Sequence, residues 1–371
     1  MAAVRSALIV GGGIAGMSLA IGLRRIGVAV DLVDIDRDWK VYGAGITLTA
    51  PSLRAFERLG IAARIAAEGN VTYTLKFCDA SGTELSVMPT PGLTGPGSPG
   101  NGGILRPVLH AILSDAVRAA GAAVRLGITA ETVATDGSAT MTDGSHGTYD
   151  LVIGADGLHS KVRDLVFSGA PKPALTGQGC WRVVVPRPRE VDTGQMFLGT
   201  DLKAGITPVS RDQMYLFYLQ HVPDNLRMPP DGMHEILAEQ LAPFGGPVGD
   251  IRRNLGPGSD INYRPLEAIL MPSPWCRGRV LLIGDAAHGT TPHLASGAGL
   301  AVEDGLVLTE LLDTNVPLDQ VLDRFMTRRY PRAALVVNNS LKIGELEMNH
   351  GSAEEQTKLM GEAMAAIVAP I

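Results

Sequence analysis

Apolar residues change their period along the first part of the chain. Ala7 to Val10 form a short continuous run bounded by glycines, after which Ile14, Met17, Leu19, Ile21 and Leu23 recur at helical spacing up to Ile26. Val28 to Val33 is apolar and extended again. The pattern predicts strand, turn, helix and strand, a βαβ unit with parallel strands and a right-handed crossover. Pro51 to Leu59 and Pro107 to Ala120 each carry proline in the first turn of an expected helix, and Gly121 closes the second. Between them, Thr90 to Gly103 is rich in Gly and Pro without an apolar period. It reads as a long surface loop, either a plain connector or a mobile one.

Leu151 to Ile153 and Val280 to Ile283 are fully apolar runs that end in glycine, the pattern of parallel strands buried on both faces. They are expected in the first sheet. Between them, Gly177 to Gln220 carries apolar and aromatic segments around Val183, Phe197, Ile206 and Phe217, with turn residues between, which predicts a second, more antiparallel sheet. The first sheet is therefore discontinuous along the chain. From Pro317 to about Glu347 the pattern is an amphipathic helix with Leu318, Val321, Leu322 and Phe325 on one face, and Pro331 is expected to kink it.

Composition narrows the class. At 371 residues and 45% hydrophobic the chain buries a large core. Its glycines and prolines are aperiodic, which argues for tight turns rather than collagen or disorder. A net charge of -6 with no basic stripe argues against nucleic acid as a partner. Cys78, Cys180 and Cys276 are too few and scattered for a disulfide framework or a metal site, so inert buried thiols are expected. Nowhere do about 18 apolar residues run together, so no membrane span and a cytoplasmic location are expected.

Three motifs bring chemistry. Gly11, Gly13 and Gly16 have the Gly-X-Gly-X-X-Gly spacing between a strand and a helix start, with Ile14 and Ala15 inside the turn. The glycines permit the turn and a close approach, and the helix N-terminal amides hold a diphosphate. Asp34 ends the second strand roughly twenty residues on, where a carboxylate accepts both hydroxyls of a ribose; Arg37 is grouped with it. The second motif, Gly154-Ala155-Asp156-Gly157, precedes Ser160, Lys161 and Arg163 on a short helix. Asp156 either caps that helix or helps hold the cofactor. The third, from Gly284-Asp285 through His288 to Thr291-Pro292-His293 and Gly297-Ala298-Gly299, is strand, loop and helix. Asp285 at a strand's carboxyl end suits a polyol hydroxyl, and the glycine-rich loop lets backbone meet a flat ring. A helix starting near Gly297 would aim its dipole at a group that gains negative charge on reduction. This is the expected active site.

Together, GGGIAG, GADGLHSKVR and GDAAHGTTPHLASGAGLAVED resemble the class A single-component FAD-dependent aromatic monooxygenases, the group of p-hydroxybenzoate, salicylate and 6-hydroxynicotinate hydroxylases. The order and spacing of all three fit, as do Gly43-Ala44-Gly45-Ile46 before the second helix and Arg106 at the start of the third. The resemblance implies an α/β protein: a Rossmann-like FAD-binding domain, an inserted antiparallel-sheet substrate domain and a C-terminal helical segment. The FAD-binding domain would take 1–72, 104–173 and 273–315, the substrate sheet 73–103 and 174–272, and the C-terminal helices 316–371.

By the same resemblance, Asp34 binds ribose, Arg106 the diphosphate or ribityl region, Asp285 the ribityl chain, and Gly297, Ala298 and Gly299 the pyrimidine edge. Asp156 and Gly157 line the cofactor's path, and Gly45, Ile46 and Pro292 lie beside the ring. The implied reaction uses NADPH or NADH and O2 to hydroxylate a small aromatic or heteroaromatic substrate through a flavin C4a-hydroperoxide. NAD(P)H would bind transiently across a groove, since no separate nicotinamide domain is visible. The expected catalytic set is His293, Pro292, Thr47 and Tyr215. His293 is either a base or a packed histidine, and His288 reads as structural. Thr47 stands where the pyridine hydroxylase has a histidine, so that family's substrate contacts do not carry over whole. Tyr215 and Phe217 fall on one strand face, as pocket lining or as core, while Arg182 after Trp181 is either a carboxylate clamp or a surface ion pair.

Other classes remain open: an epoxidase, a halogenase, an isoprenoid reductase, or a non-enzymatic FAD redox sensor. Against a halogenase, Trp181 has no second Trp after it. Against an isoprenoid reductase, the last helix carries Lys342, Glu345 and Glu347 where a membrane-binding helix would be apolar. A monomer or homodimer is expected.

Overall fold

The computed structural model describes residues 4–41, 43–199, 203–222, 224, 227–229 and 231–371. A six-stranded sheet runs in the order Cys276–Arg277, Val280–Leu282, Leu151–Gly154, Ser6–Val10, Ala29–Asp34, Ala123–Leu126. Its central pairs are parallel, with Ala7 opposite Leu151, Leu8 opposite Asp31 and Val152 opposite Val280. The apolar runs Leu8–Val10 and Leu151–Gly154 are buried throughout, as parallel strands covered on both faces must be.

Two glycines set how closely the helices approach one another. A Cβ on Gly22, in the helix Ile14–Arg25, would lie 2.2 Å from Thr309 Oγ1, and one on Gly305, in the helix Gly297–Leu312, would lie 2.9 Å from the Leu19 nitrogen. A glycine in a helix interior costs about 1 kcal/mol relative to alanine, which close packing of these two helices offsets.

The second sheet has seven strands in the order Ile261–Ala268, Ala174–Pro186, Gln213–His221, Lys203–Pro208, Gly194–Leu198, Thr74–Asp79, Glu84–Pro89. It is antiparallel except where Gly194–Leu198 meets Thr74–Asp79, a strand contributed from an earlier stretch of the chain. Alternation divides its faces. Trp181, Val183, Leu216 and Tyr218 pack with Leu237, Phe244 and Val248 of the segment that carries the helices Met233–Gln240 and Gly246–Asn254. Arg182, Val184, Tyr215, Phe217, Thr207 and Lys203 share the other face.

A three-stranded sheet of Gly45–Thr49, Asn101–Leu105 and Asn70–Thr72 joins the two layers. Thr90 to Gly103 is thus not all loop: its last residues are strand. Gly102 and Gly103 read as loop residues, but here they mark close backbone approach, since a Cβ would lie 2.6 Å from Asn70 O at the first and 2.5 Å from Pro208 O at the second. The helix Leu318–Met348 continues through Pro331, and Ala353–Val368 packs back against it. Cys78 and Cys180 are buried, while Cys276 is half-buried. Among the described residues no helix is long and apolar enough to cross a membrane.

A buried ionic network fastens the C-terminal helix. Arg329 donates to Asp304 Oδ1 (2.7 Å), Glu303 Oε2 (2.8 Å) and Leu300 O (3.1 Å). Arg332 donates to both Glu303 oxygens. Asp304 Oδ2 also accepts from the Gly284 N–H (2.9 Å) and lies 2.7 Å from His288 Nε2. Burial alone would push the Asp304 carboxyl up, but the His288 ring and then the Arg329 guanidinium outweigh it and hold it at about 2.

Removing one partner of a buried pair leaves an uncompensated charge. Arg329→Met should therefore lower the unfolding free energy by about 3–5 kcal/mol in a denaturant titration; an unchanged midpoint would make the network dispensable. Because the folded value of Asp304 lies below the ordinary carboxylate range, its contribution is complete above about pH 4 and lost as pH falls toward 2. Stability measured across that window should fall more steeply for the parent protein than for Asp304→Asn.

Candidate active site

The first motif fits a dinucleotide for separate reasons at each glycine. Gly11 has φ +108°, and a Cβ there would lie 2.3 Å from Ala155 O; one on Gly16 would lie 2.0 Å from Gly11 O. Both are required by the turn and by packing. At Gly13 nothing lies within 4 Å, so the backbone there stands open to an incoming group. Gly13 is the N-cap of the helix Ile14–Arg25 without a side-chain cap, and the first turn holds no acid, so its amides are free for an anion. Ala15 is buried beneath the turn and Ile14 half-buried. Asp34 accepts from the Gly12 N–H (2.6 Å) and the Asp36 N–H (2.8 Å), which fixes its carboxylate beside the loop. Arg37 is exposed and packs over Gly127.

The second motif is tied to the third. Asp156 accepts from Ser160 Oγ, the Lys161 N–H (2.7 Å) and the Val162 N–H (3.0 Å), and so holds the first turn of the helix Lys161–Val166, whose N-cap is Ser160. Burial still leaves its carboxyl above the usual range, with the Ser160 hydroxyl working the other way. Gly157 beside it has φ +81° and nothing within 4 Å of a Cβ. The buried Arg163 donates to Ala286 O (3.0 Å) and Leu158 O (2.9 Å), so it pins the helix Asp285–His288 to this capping turn.

Asp285 opens that helix from Gly284, whose φ is +59°. It is solvent-accessible yet walled in by protein, as the side of a cleft is. Enclosure pushes its carboxyl up, while His288 and Arg106 pull it down. The helix Gly297–Leu312 also starts without a side-chain cap or an acid in its first turn. Gly297 and Ala298 are half-buried at its tip, and Gly299 is glycine because a Cβ would lie 2.5 Å from Ser52 Oγ. Two uncapped helix N-termini, one at the open Gly13 and one at Gly297, fit the diphosphate and the electron-accepting ring of FAD respectively.

The cleft between the layers holds a hydroxyl cluster. Thr47 Oγ1 is 2.6 Å from Tyr215 OH and 3.2 Å from Thr207 Oγ1. Gly45 makes room for it, since a Cβ there would lie 2.2 Å from Tyr215 Cδ1, and Ile46 follows half-buried. Burial pushes the Tyr215 phenol up, so it stays protonated; the Thr47 hydrogen bond and Arg182 oppose the shift. Phe217 stands 6.0 Å from the Tyr215 ring, centre to centre. Burial first, and then the nearby Arg182 charge, lower the Arg106 guanidinium from its usual range. Among the described residues neither arginine forms an ion pair.

Pro292 and His293 lie in the short 3-10 turn Pro292–Leu294. Pro292 is half-buried, but the His293 side chain has no exposed surface. Its Nδ1 is 2.8 Å from Thr291 Oγ1, and its Nε2 is 3.3 Å from Glu347 Oε2. The structure therefore brings Thr47 and Tyr215 together and places His293 in a different set of contacts, toward the C-terminal helix. The sequence reading missed Asp304 and Arg329, and also Trp39, whose Nε1 donates to Gly12 O (2.9 Å) and whose ring meets His110 edge-on. Asp304 closes the third motif by sequence, but its Arg329 partner lies 25 residues further on and no local period announces the contact.

Comparisons with known proteins identify the family. Residues 5–340 match the family described as FAD binding domain. The chain is 30% identical over 365 residues to the putative FAD-dependent monooxygenase YetM of Bacillus subtilis, covering 97% of this chain and 98% of that protein. It is 31% identical over 346 residues to the aurachin C monooxygenase/isomerase of Stigmatella aurantiaca, covering 91% and 88%. Among solved structures it is similar to Klebsiella pneumoniae HpxO complexed with FAD and uric acid, with a TM-score of 0.84 and 25% identity over 98% of this chain and 94% of that one.

The open space at Gly13 separates cofactor binding from folding. Gly13→Val should leave the unfolding free energy of the apoprotein within about 0.5 kcal/mol of the parent and abolish retention of FAD on desalting. Stoichiometric yellow colour in that variant would show that the diphosphate is held elsewhere.

Proposed function

We propose that this chain, which belongs to the FAD binding domain family and is an FAD-dependent monooxygenase, hydroxylates a small aromatic or N-heteroaromatic ring that carries an ionisable hydroxyl or carboxyl group. The observation that carries the substrate class is Arg182, which forms no ion pair among the described residues, shares a sheet face with Tyr215 and Phe217, and stands near enough to Arg106 to lower its guanidinium. Such a cleft favours an anion, and a ring hydroxyl ionises more readily beside positive charge. Tyr215 and Phe217 add an aromatic wall of the matching shape.

When bound, FAD supplies the redox chemistry, taking electrons from NAD(P)H and activating O2 for transfer of one oxygen atom. The chain's own residues do the rest. In this reading Asp34 takes the ribose, Arg106 the diphosphate or ribityl region, Asp285 the ribityl chain, and Ala298 and Gly299 the pyrimidine edge. Ile46 and Pro292 flank the ring. Arg182 holds the substrate's anionic group, and the protonated Tyr215, hydrogen-bonded to Thr47, orients a substrate oxygen. The sheet face of Val184 and Phe217 keeps the cleft dry, which limits loss of activated oxygen to water. Action in the cytoplasm as a monomer or homodimer goes with this reading.

The test is NAD(P)H oxidation by the purified holoenzyme with a panel of hydroxylated benzoates, pyridines, quinolones and purines, with peroxide recorded alongside. One ring class should speed oxidation while peroxide stays low. For that compound Arg182→Leu should raise KM roughly ten- to a hundredfold, the range for a hydrogen bond to a charged group. If no aromatic compound stimulates oxidation, the substrate class is wrong.

A further inference from the structure

Trp39 is a bulky residue in a backbone conformation that suits glycine. Its φ is +49°, in the left-handed region that large side chains rarely adopt, and it is buried all the same. A glycine would take that turn without strain. What tryptophan adds there is its side chain, and the indole reaches back to the first glycine loop, where Nε1 donates to Gly12 O (2.9 Å).

Three elements meet at this ring. The turn after Asp34 sets its backbone, with the Trp39 N–H donating to Asp36 O (3.3 Å) and the Asp38 N–H to Asp36 Oδ1 (2.8 Å). From the helix Arg106–Ala119, the Arg118 guanidinium lies over the ring at 4.8 Å, and His110 meets it edge-on at 5.4 Å. The His110 ring stands near the same Gly12 carbonyl, but its Nε2 makes no hydrogen bond, so the indole is the group that holds the carbonyl.

That bond decides where the loop's amide points. A trans peptide is planar, and its C=O and N–H point in opposite directions. With Gly12 O turned in toward the indole, the N–H of the same peptide, that of Gly13, turns away from it, at the residue whose Cβ position has nothing within 4 Å. The peptide before Gly12 is fixed as well, because the Gly12 N–H donates to Asp34 Oδ2 (2.6 Å). Gly12 is thus held on both sides, by Asp34 and by Trp39.

We propose that Trp39 is a positioning residue for FAD: by holding the Gly12 carbonyl it keeps the Gly13 N–H aimed at the cofactor's diphosphate before the cofactor arrives. This role rests on the reading that the diphosphate is received at Gly13. Without the indole bond the peptide between Gly12 and Gly13 turns freely, and binding has to order it, which weakens the hold on the ADP half of the cofactor.

Trp39→Phe keeps a buried ring and removes the donor. On dilution of the FAD-loaded protein, followed by the rise of free-flavin fluorescence, its Kd for FAD should exceed that of the parent by about two- to tenfold, the range for one neutral hydrogen bond. ADP should lose power to displace FAD by the same factor. The visible spectrum of the FAD that stays bound should not change, whereas a general loosening of the fold would alter it too. Gly12→Ala is the second variant, since its Cβ would lie 2.3 Å from Trp39 Nε1 and displaces the indole. It should bring the same loss, and the two substitutions together no more than the larger of the two. A Kd equal to the parent's in Trp39→Phe, a raised Kd with an altered spectrum, or losses that add in the double variant would overturn the role of Trp39. Retention of FAD by Gly13→Val would overturn the diphosphate reading and this role with it; loss of FAD in Gly13→Val beside parent affinity in Trp39→Phe would sink only the role of Trp39.

Discussion

The arrangement of the cleft depends on one buried carboxylate. Asp304 is fully buried and meets three separate parts of the chain: the Gly284 N–H at the end of a central strand, the His288 ring one turn on, and the Arg329 guanidinium from the C-terminal helix. An ion pair in so dry a place is not held for its net stability, because hydrophobic residues of the same volume would often serve as well. What it supplies here is direction. By fixing the Gly284 turn it sets where Asp285 projects, and by sitting on the helix Gly297–Leu312 it sets where that helix's N-terminus points.

The site gathers positive groups in a protein whose net charge is -6. Net charge describes the outer surface, whereas the field in a cleft is set by the groups that face it. Here those groups are the uncapped start of Ile14–Arg25, the uncapped start of Gly297–Leu312, and Arg106 and Arg182, which form no salt bridge among the described residues. Asp34 and Asp285 are the acids at its edges, and in the proposed reading each takes polyol hydroxyls. In the proposed reading, a diphosphate, an electron-accepting ring and an anionic substrate all draw on these donors.

Much of this was legible in the chain. The change from continuous apolar runs to helical spacing marked the parallel strands and the first helix, and glycine spacing marked the cradle. The same rule misread Gly102 and Gly103, because a glycine that permits a turn and a glycine that permits close sheet contact look alike in sequence. Asp156 left a cap and a cofactor contact both open; Ser160 is the N-cap, and Asp156 holds the first-turn amides beside it. The ionic network was invisible because Asp304 and Arg329 are 25 residues apart, on different helices. The direction of the His293 ring was equally hidden, since it is decided by Gly344 and Glu347 on a helix far along the chain.

The hydroxyl cluster bears on how such a cleft would select its substrate. Where the resembling pyridine hydroxylase has a histidine, Thr47 offers a hydroxyl that pairs with Tyr215. A threonine does not take up a proton near neutral pH, and a buried phenol held above its usual range does not give one up. In the proposed reading, ionisation of the substrate then falls to Arg182, which stabilises an anion without accepting its proton. A field of that kind favours rings that are already acidic, such as hydroxypyridines and quinolones, over simple phenols, and it leaves removal of the proton to groups outside the cleft wall.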